Sequence, residues 1–290
     1  SKLNEFNIGV ELSIDERIMY DEETKNLSNL IPKFGKHGLE LANKCLSGGE
    51  DTEGKYYNNW AYCNMWAHHN GWKKDLNLSH PDHIDIDNMW NPKKIMGYAK
   101  NLMKAIRGRK EILWNASNKY EVCLTLIEKY SNLKTICFSQ STTFATNLYK
   151  KINLKFGEIC VVYHSKVTTE KRIINGKETK FGKDRIKQES LDKFEGNIAR
   201  VMSAASALDR GYDNENIRMA IITSGTENFN QQQQRQGRTV RKEENYEESV
   251  LIINCYCKNT KEEESLRKRQ SKDRKNVYEV ESIDEINYEP

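Results

Sequence analysis

The chain has 290 residues, with 46 lysines and arginines against 42 aspartates and glutamates, a net charge of +4. That length holds one good core plus a smaller appendage, or two small domains, and so mild a balance excludes a uniformly basic coat, so a footprint for nucleic acid has to be local. Seven cysteines form no C-x-x-C pair, several sit in apolar runs, and no apolar stretch approaches the roughly 20 residues of a membrane span. A reducing cytoplasm without a membrane partner is therefore expected. The abundance of lysine and asparagine suits an AT-rich, viral source, which would make this the host cytoplasm.

Ser13-Ile14-Asp15-Glu16 is a capping box that should start a helix running to about Leu30. Gly49 to Lys55 has the G-x-x-x-x-G-K spacing of a phosphate-cradling loop. However, Tyr56 stands where a magnesium-binding hydroxyl belongs, and Glu50, Asp51 and Glu53 would repel phosphate. Asp21-Glu22-Glu23-Thr24 imitates a magnesium-binding acidic box, but lies mid-helix with no strand before it. From Tyr56 onward aromatics and histidines are dense. Cys63, His68, His80 and His83 could be drawn as a zinc site, but their spacing fits no common finger, so packing is expected and no metal. Asn91-Pro92 opens another helix, which Gly108 should close. Residues 1–109 thus read as a mainly helical linker or accessory region.

A helix from Ser117 to about Tyr130 follows, and then the period switches to strands alternating with helices. Lys134–Ser139, Glu158–Tyr163, Ile198–Ser203, Ile217–Thr223 and Ser249–Cys255 read as buried strands. Thr142–Ile152 (capped by Ser141), Asp184–Phe194 and a short Asn230–Gln236 read as helices. That alternation predicts an α/β domain over residues 110–270, a mostly parallel sheet covered by helices, with 271–290 as an acidic tail.

Gln231 to Arg241 reads Q-Q-Q-Q-R-Q-G-R-T-V-R. On a helix Gln234, Arg238 and Arg241 share one face, and two guanidiniums there suit a polyphosphate. These words resemble motif VI of the superfamily 2 helicases. Upstream, Lys134-Thr135-Ile136-Cys137-Phe138-Ser139-Gln140-Ser141 is similar to their motif IV and Tyr163-His164-Ser165 to the segment after it. Ser206-Ala207-Leu208-Asp209-Arg210-Gly211-Tyr212-Asp213 is similar to motif V, and Leu12 to Asp21 to the segment that leaves the first motor domain. Four motifs in this order identify the chain, by resemblance, as the second, RecA-like motor domain of a superfamily 2 helicase or translocase of phage type.

The resemblance implies a two-domain motor. ATP with magnesium is held mainly by a preceding P-loop domain, absent from this chain. Arg238 and Arg241 act on the γ-phosphate, and Gln234, Gly211 and Asp213 approach the nucleotide. The loops bearing Ser139, Gln140, His164 and Ser206 grip a nucleic-acid backbone, with DNA the expected partner. By itself the chain is then expected to be inactive. The alternative is a nucleic-acid-binding or docking module that hydrolyses nothing.

Between His164 and Arg185 the chain is longer than a connection needs, and Asn175-Gly176 signals a hairpin. Eight basic residues between 166 and 187, among them Lys171, Arg172 and Lys177, face three acids. The hairpin is expected to touch phosphates or to act as a pin at a duplex junction.

Overall fold

The computed structural model describes residues 3–37, 39, 42–43, 46, 92–174, 176–205, 217–224, 250–270 and 277–288. The chain divides into two compact units, one of residues 1–14 and 113–290 and one of residues 15–112. The boundaries fall at 14/15 and 112/113, so residues 3–10 and the C-terminal segment belong with the sheet.

Among the described residues the larger unit is built on a parallel sheet of seven strands. Its strands are β1 (Leu3–Val10), β2 (Thr135–Ser139), β3 (Cys160–Tyr163), β6 (Val201–Ala205), β7 (Met219–Ile222), β8 (Val250–Cys257) and β9 (Val277–Val280), in the order β3-β6-β2-β7-β8-β1-β9. Strands buried on both faces read as unbroken apolar runs rather than alternation. Accordingly β2, β6, β7 and β8 are buried at every position. One face packs Ile136, Phe138, Met202, Ile222 and Ile252 around Phe194. On the other side Ser203 donates to the Ala145 carbonyl at 2.9 Å, and Tyr120 stacks on Phe144 at 4.3 Å. These contacts seat α3 (Asn118–Lys129) and α4 (Thr142–Phe156). Ser141 caps α4 as its sequence predicts, accepting from the Phe144 amide at 3.1 Å. The fold class is therefore as expected, an α/β, RecA-like sheet covered by helices.

Two strands lie where no strand was expected. β1 inserts between β8 and β9, and β9 comes from the segment read as an acidic tail. In β1 Phe6, Ile8 and Val10 fill one side, while Glu5 and Asn7 are buried on the other. Asn7 stands level with Asn254 of β8 and Glu279 of β9. It accepts from Asn254 at 2.9 Å and donates to Glu279 at 2.7 Å and to Gln270 at 2.7 Å. Gln270 ends α6 (Lys261–Gln270) and returns a bond to Asn7 at 2.9 Å. A slip of one residue would turn Asn7 to the apolar side and strand its partners, so this ladder fixes the register.

The smaller unit contains most of α1 (Ile14–Leu30) and of α2 (Pro92–Trp114), in keeping with a helical N-terminal region. Gly108 does not end α2. The helix runs on to Trp114, and a Cβ at Gly108 would meet only the mobile end of the Glu23 side chain, at 2.8 Å. Among the described residues no helix is long and apolar enough to cross a membrane.

Replacing Asn7 by Ala should lower stability by about 2 kcal/mol, because it removes the buried amide that joins Asn254, Gln270 and Glu279 and leaves Glu5 as the acceptor for the amides of Asn254 and Gln270. Urea denaturation measures this; an unchanged midpoint would contradict the role given to the ladder.

Candidate functional site

The C-terminal ends of β2, β6 and β7 adjoin one another at the point where the sheet order reverses. From β2 the chain moves outward to β3, returns through β6, then crosses to β7 on the far side of β2. In open parallel sheets such a switch leaves a crevice beyond the strand ends, where ligands bind.

The crest is locked by short polar contacts. Ser139 ends β2, is buried, and accepts from the Ser141 amide at 2.9 Å. Ser141 also donates to Asn115 at 2.7 Å. The Gln140 amide donates to the Ser224 hydroxyl at 2.6 Å, and Thr223 donates to the Phe138 carbonyl at 3.0 Å, so the loops after β2 and β7 form one surface. The Gln140 side-chain nitrogen has no hydrogen-bond partner among the described residues. Helix α4 begins at the same crest, and the positive end of its dipole favours an anion there.

His164 follows β3 and is buried. Its Nδ1 accepts from the Lys166 amide at 3.2 Å, so the proton lies on Nε2, which meets Thr146 Oγ1 at 2.8 Å; that hydroxyl donates onward to the Thr142 carbonyl. Burial, reinforced by the Lys166 charge, holds the imidazole below its ordinary value of 6.5. His164 is thus a neutral connector between the end of β3 and the first turn of α4.

Beneath the crest lies Lys119, wholly buried at the start of α3. Its ammonium donates to the Thr223 carbonyl at 2.6 Å, to the Leu113 carbonyl at 2.9 Å and to both oxygens of Glu262 at 3.0 and 2.8 Å. The Glu262 carboxylate also accepts from the Cys257 amide at 2.9 Å. Burial is the largest influence and works against the charge of Lys119, but the charge of Glu262, the neighbouring Cys257 and Cys255 and the hydrogen bond to Glu262 together outweigh it and the pKa is raised. Lys119 lies on the stripe of Cys123, Leu126 and Tyr130 at i, i+4, i+7 and i+11. A lysine on an apolar stripe is the signal that would have found it.

Lys171 and Arg172 lie on β4 (Glu170–Ile174) and Lys177 on β5 (Lys177–Phe181), an antiparallel pair set apart from the main sheet. The expected basic hairpin is therefore present, closed with two residues between Ile174 and Lys177, and Gly176 takes φ 76°. Ser206, Gly211, Asp213, Gln234, Arg238 and Arg241 lie outside the described residues, as do the loop-like Gly49–Lys55 and the Cys63–His83 group. Among the described residues no cluster of His, Cys, Asp and Glu could hold a metal.

Residues 118–243 match the family model described as the helicase conserved C-terminal domain. No curated protein matches the chain. Among solved structures it resembles a DEAD box protein from the hyperthermophile Methanococcus jannaschii (15% identity, TM-score 0.44, 56% of this chain and 38% of that one). It also resembles S. cerevisiae Dbp5 bound to RNA and ADP BeF3 (18%, 0.45, 57% and 39%). The likeness to the C-terminal part of the Fun30 ATPase domain (15%, 0.50) runs over 92% of this chain and 88% of that one, and speaks for the fold. The chain spans well under half the length of the first two proteins.

Two outcomes test the crest. Lys119→Met should cost about 3–5 kcal/mol, because it leaves the Glu262 carboxylate uncompensated, and adding Glu262→Gln should recover part of that; a neutral single variant would contradict the clamp. Because the folded His164 binds its proton more weakly than the unfolded chain does, its contribution is complete above 6.5 and lost as pH falls below. The decline in urea midpoint from about pH 7 to about pH 5 should therefore be shallower in His164→Gln.

Proposed function

We propose that this superfamily 2 helicase C-terminal domain, marked by residues 118–243, works as the second half of an ATP-driven motor on nucleic acid. The observation that carries the reading is the crest, where the ends of β2 and β7 are bound into one surface by Gln140 and Ser224 beside the start of α4. Such a surface suits a phosphate backbone, which is recognised without regard to base sequence.

In this reading a P-loop domain holds ATP and magnesium, and closure brings Arg238 and Arg241 to the γ-phosphate, where their fixed charges offset those developing in the transition state. Gln234, Gly211 and Asp213 lie along the nucleotide. The loops around Gln140 and Ser206 hold the strand through its backbone, with Ser139 and His164 bracing them from below. Lys171 and Lys177 add phosphate contacts. Each cycle of closure and opening shifts the grip, and DNA is the proposed substrate. The buried free thiols of Cys123, Cys137, Cys160, Cys255 and Cys257 suit a reducing cytoplasm.

Arg241→Ala in a motor that includes the P-loop domain should leave ATP binding within about twofold and lower turnover by roughly 10³-fold. Retained turnover would exclude the finger role.

A further inference from the structure

In the larger unit consecutive elements mostly follow one another closely, as β5 passes through α5 (Lys183–Glu195) to β6. Between β1 and α3 the chain instead leaves for the unit of residues 15–112 and returns. It crosses the boundary twice, at 14/15 and at 112/113, and each crossing has its root in the larger unit, just after β1 on the way out and just before α3 on the way back.

Two consecutive side chains at the start of α3 hold the two roots. Asn118 donates its side-chain amide to the Glu11 carbonyl, on the outgoing root, at 2.6 Å. Lys119 donates to the Leu113 carbonyl, on the returning root, at 2.9 Å, and to the Thr223 carbonyl at the crest at 2.6 Å. Each root has a second hold. The Val10 carbonyl accepts from the Lys258 amide at 2.8 Å, and Leu12 is buried two residues on. On the returning root Asn115 accepts from Ser141, the cap of α4, at 2.7 Å.

The crest and both roots therefore share one support. Thr223 precedes Ser224, whose hydroxyl meets the Gln140 amide, so a group seated on Gln140 and Ser224 acts on the returning root through Ser141 and Lys119. The outgoing root is a different case, because its bond to Lys258 continues the β1–β8 ladder and stands whatever occupies the crest. Asn118 links it to the crest, one residue before the buried Lys119 on the same helical turn. Asn118 is exposed, so water would satisfy its amide and folding does not require the bond to Glu11. Lys119 is wholly buried and cannot shift without leaving its charge uncompensated, which makes this turn a stiff link.

We infer that Asn118 is a positioning residue that transmits occupancy of the crest by a nucleic-acid backbone to the outgoing root at Glu11, so that both crossings to the unit of residues 15–112 answer to the crest. The inference rests on the nucleic-acid motor reading and adds to it the route by which binding reaches the part of the chain outside the sheet. Coupling of this kind needs an element that both sites bias, and the first turn of α3 is that element: Thr223 acts on it through Lys119, and Glu11 through Asn118.

The test uses the 290-residue chain, isotope-labelled for NMR and without nucleotide, titrated with a single-stranded oligonucleotide of about 12 thymidines. The carbonyl resonances of Thr223, Leu113 and Glu11 should shift together with one midpoint. In Asn118→Ala, which puts a strong helix former at the start of α3, the shifts at Thr223 and Leu113 should persist with affinity within about twofold, and the shift at Glu11 should be lost. Asn118→Asp keeps the shape of the side chain and suits the helix start but has no donor, so it should lose the Glu11 shift as well. A Glu11 shift that survives in either variant overturns the inference. So do shifts confined to Thr223 and Leu113 in the unaltered chain, an outcome that leaves the motor reading standing. An oligonucleotide that leaves Thr223 unshifted overturns the inference together with the crest reading it relies on.

Discussion

A buried ion pair between Lys119 and Glu262 organises the C-terminal crest of the sheet. Lys119 joins the end of α2, the end of β7 and the start of α6 through Leu113, Thr223 and Glu262, and Glu262 in turn holds the end of β8 through the Cys257 amide. Burying an ammonium is costly unless every proton finds an acceptor, and here two carbonyls and a carboxylate meet that demand. The consequence is geometric. Thr223 can occupy only one position, so the Ser224 hydroxyl is presented to the Gln140 amide and the loops after β2 and β7 become one surface.

The same logic of satisfied buried polarity recurs at the far side of the sheet. Asn7, Asn254, Glu279 and Gln270 draw β1 into a place between β8 and β9. Apolar burial alone would hold β1 there in more than one register, and the amide ladder selects one. At the hairpin, by contrast, polar groups are arranged outward. Arg172 pairs with Glu170 and Glu189 on one face and Lys171 with Glu178 on the other, so both faces of the ribbon carry ion pairs.

Much of this arrangement is legible in the sequence. Runs such as Thr135–Ser139 and Val250–Cys257 are apolar throughout because they are covered on both faces, and Ser141 announces α4 through a cap that depends only on local chain geometry. Asn175-Gly176 likewise signals a turn from local sequence alone, and Gly176 takes φ 76°. The strands β1 and β9 escaped because their partners are distant in sequence: Glu5 and Asn7 look like solvent-facing residues until β8 and α6 are beside them. Lys119 escaped for the same reason, since two of its acceptors lie 104 and 143 residues away. Gly108 misled because a glycine inside a helix and one that ends it are written identically, and here the helix continues to Trp114. The hairpin was half legible, its turn and charge being visible in the sequence while the pairing of Arg172 with Glu189 depends on where the following helix stands.

The central claim is that this chain contributes charge and grip to a reaction whose nucleotide is anchored elsewhere. ATP hydrolysis by the 290-residue chain alone, measured with and without single-stranded DNA alongside DNA binding over a range of salt, tests it most directly. The account predicts no turnover under either condition together with DNA binding that weakens steeply with salt. Turnover stimulated by DNA would contradict it, because the chain would then hold a complete nucleotide site of its own.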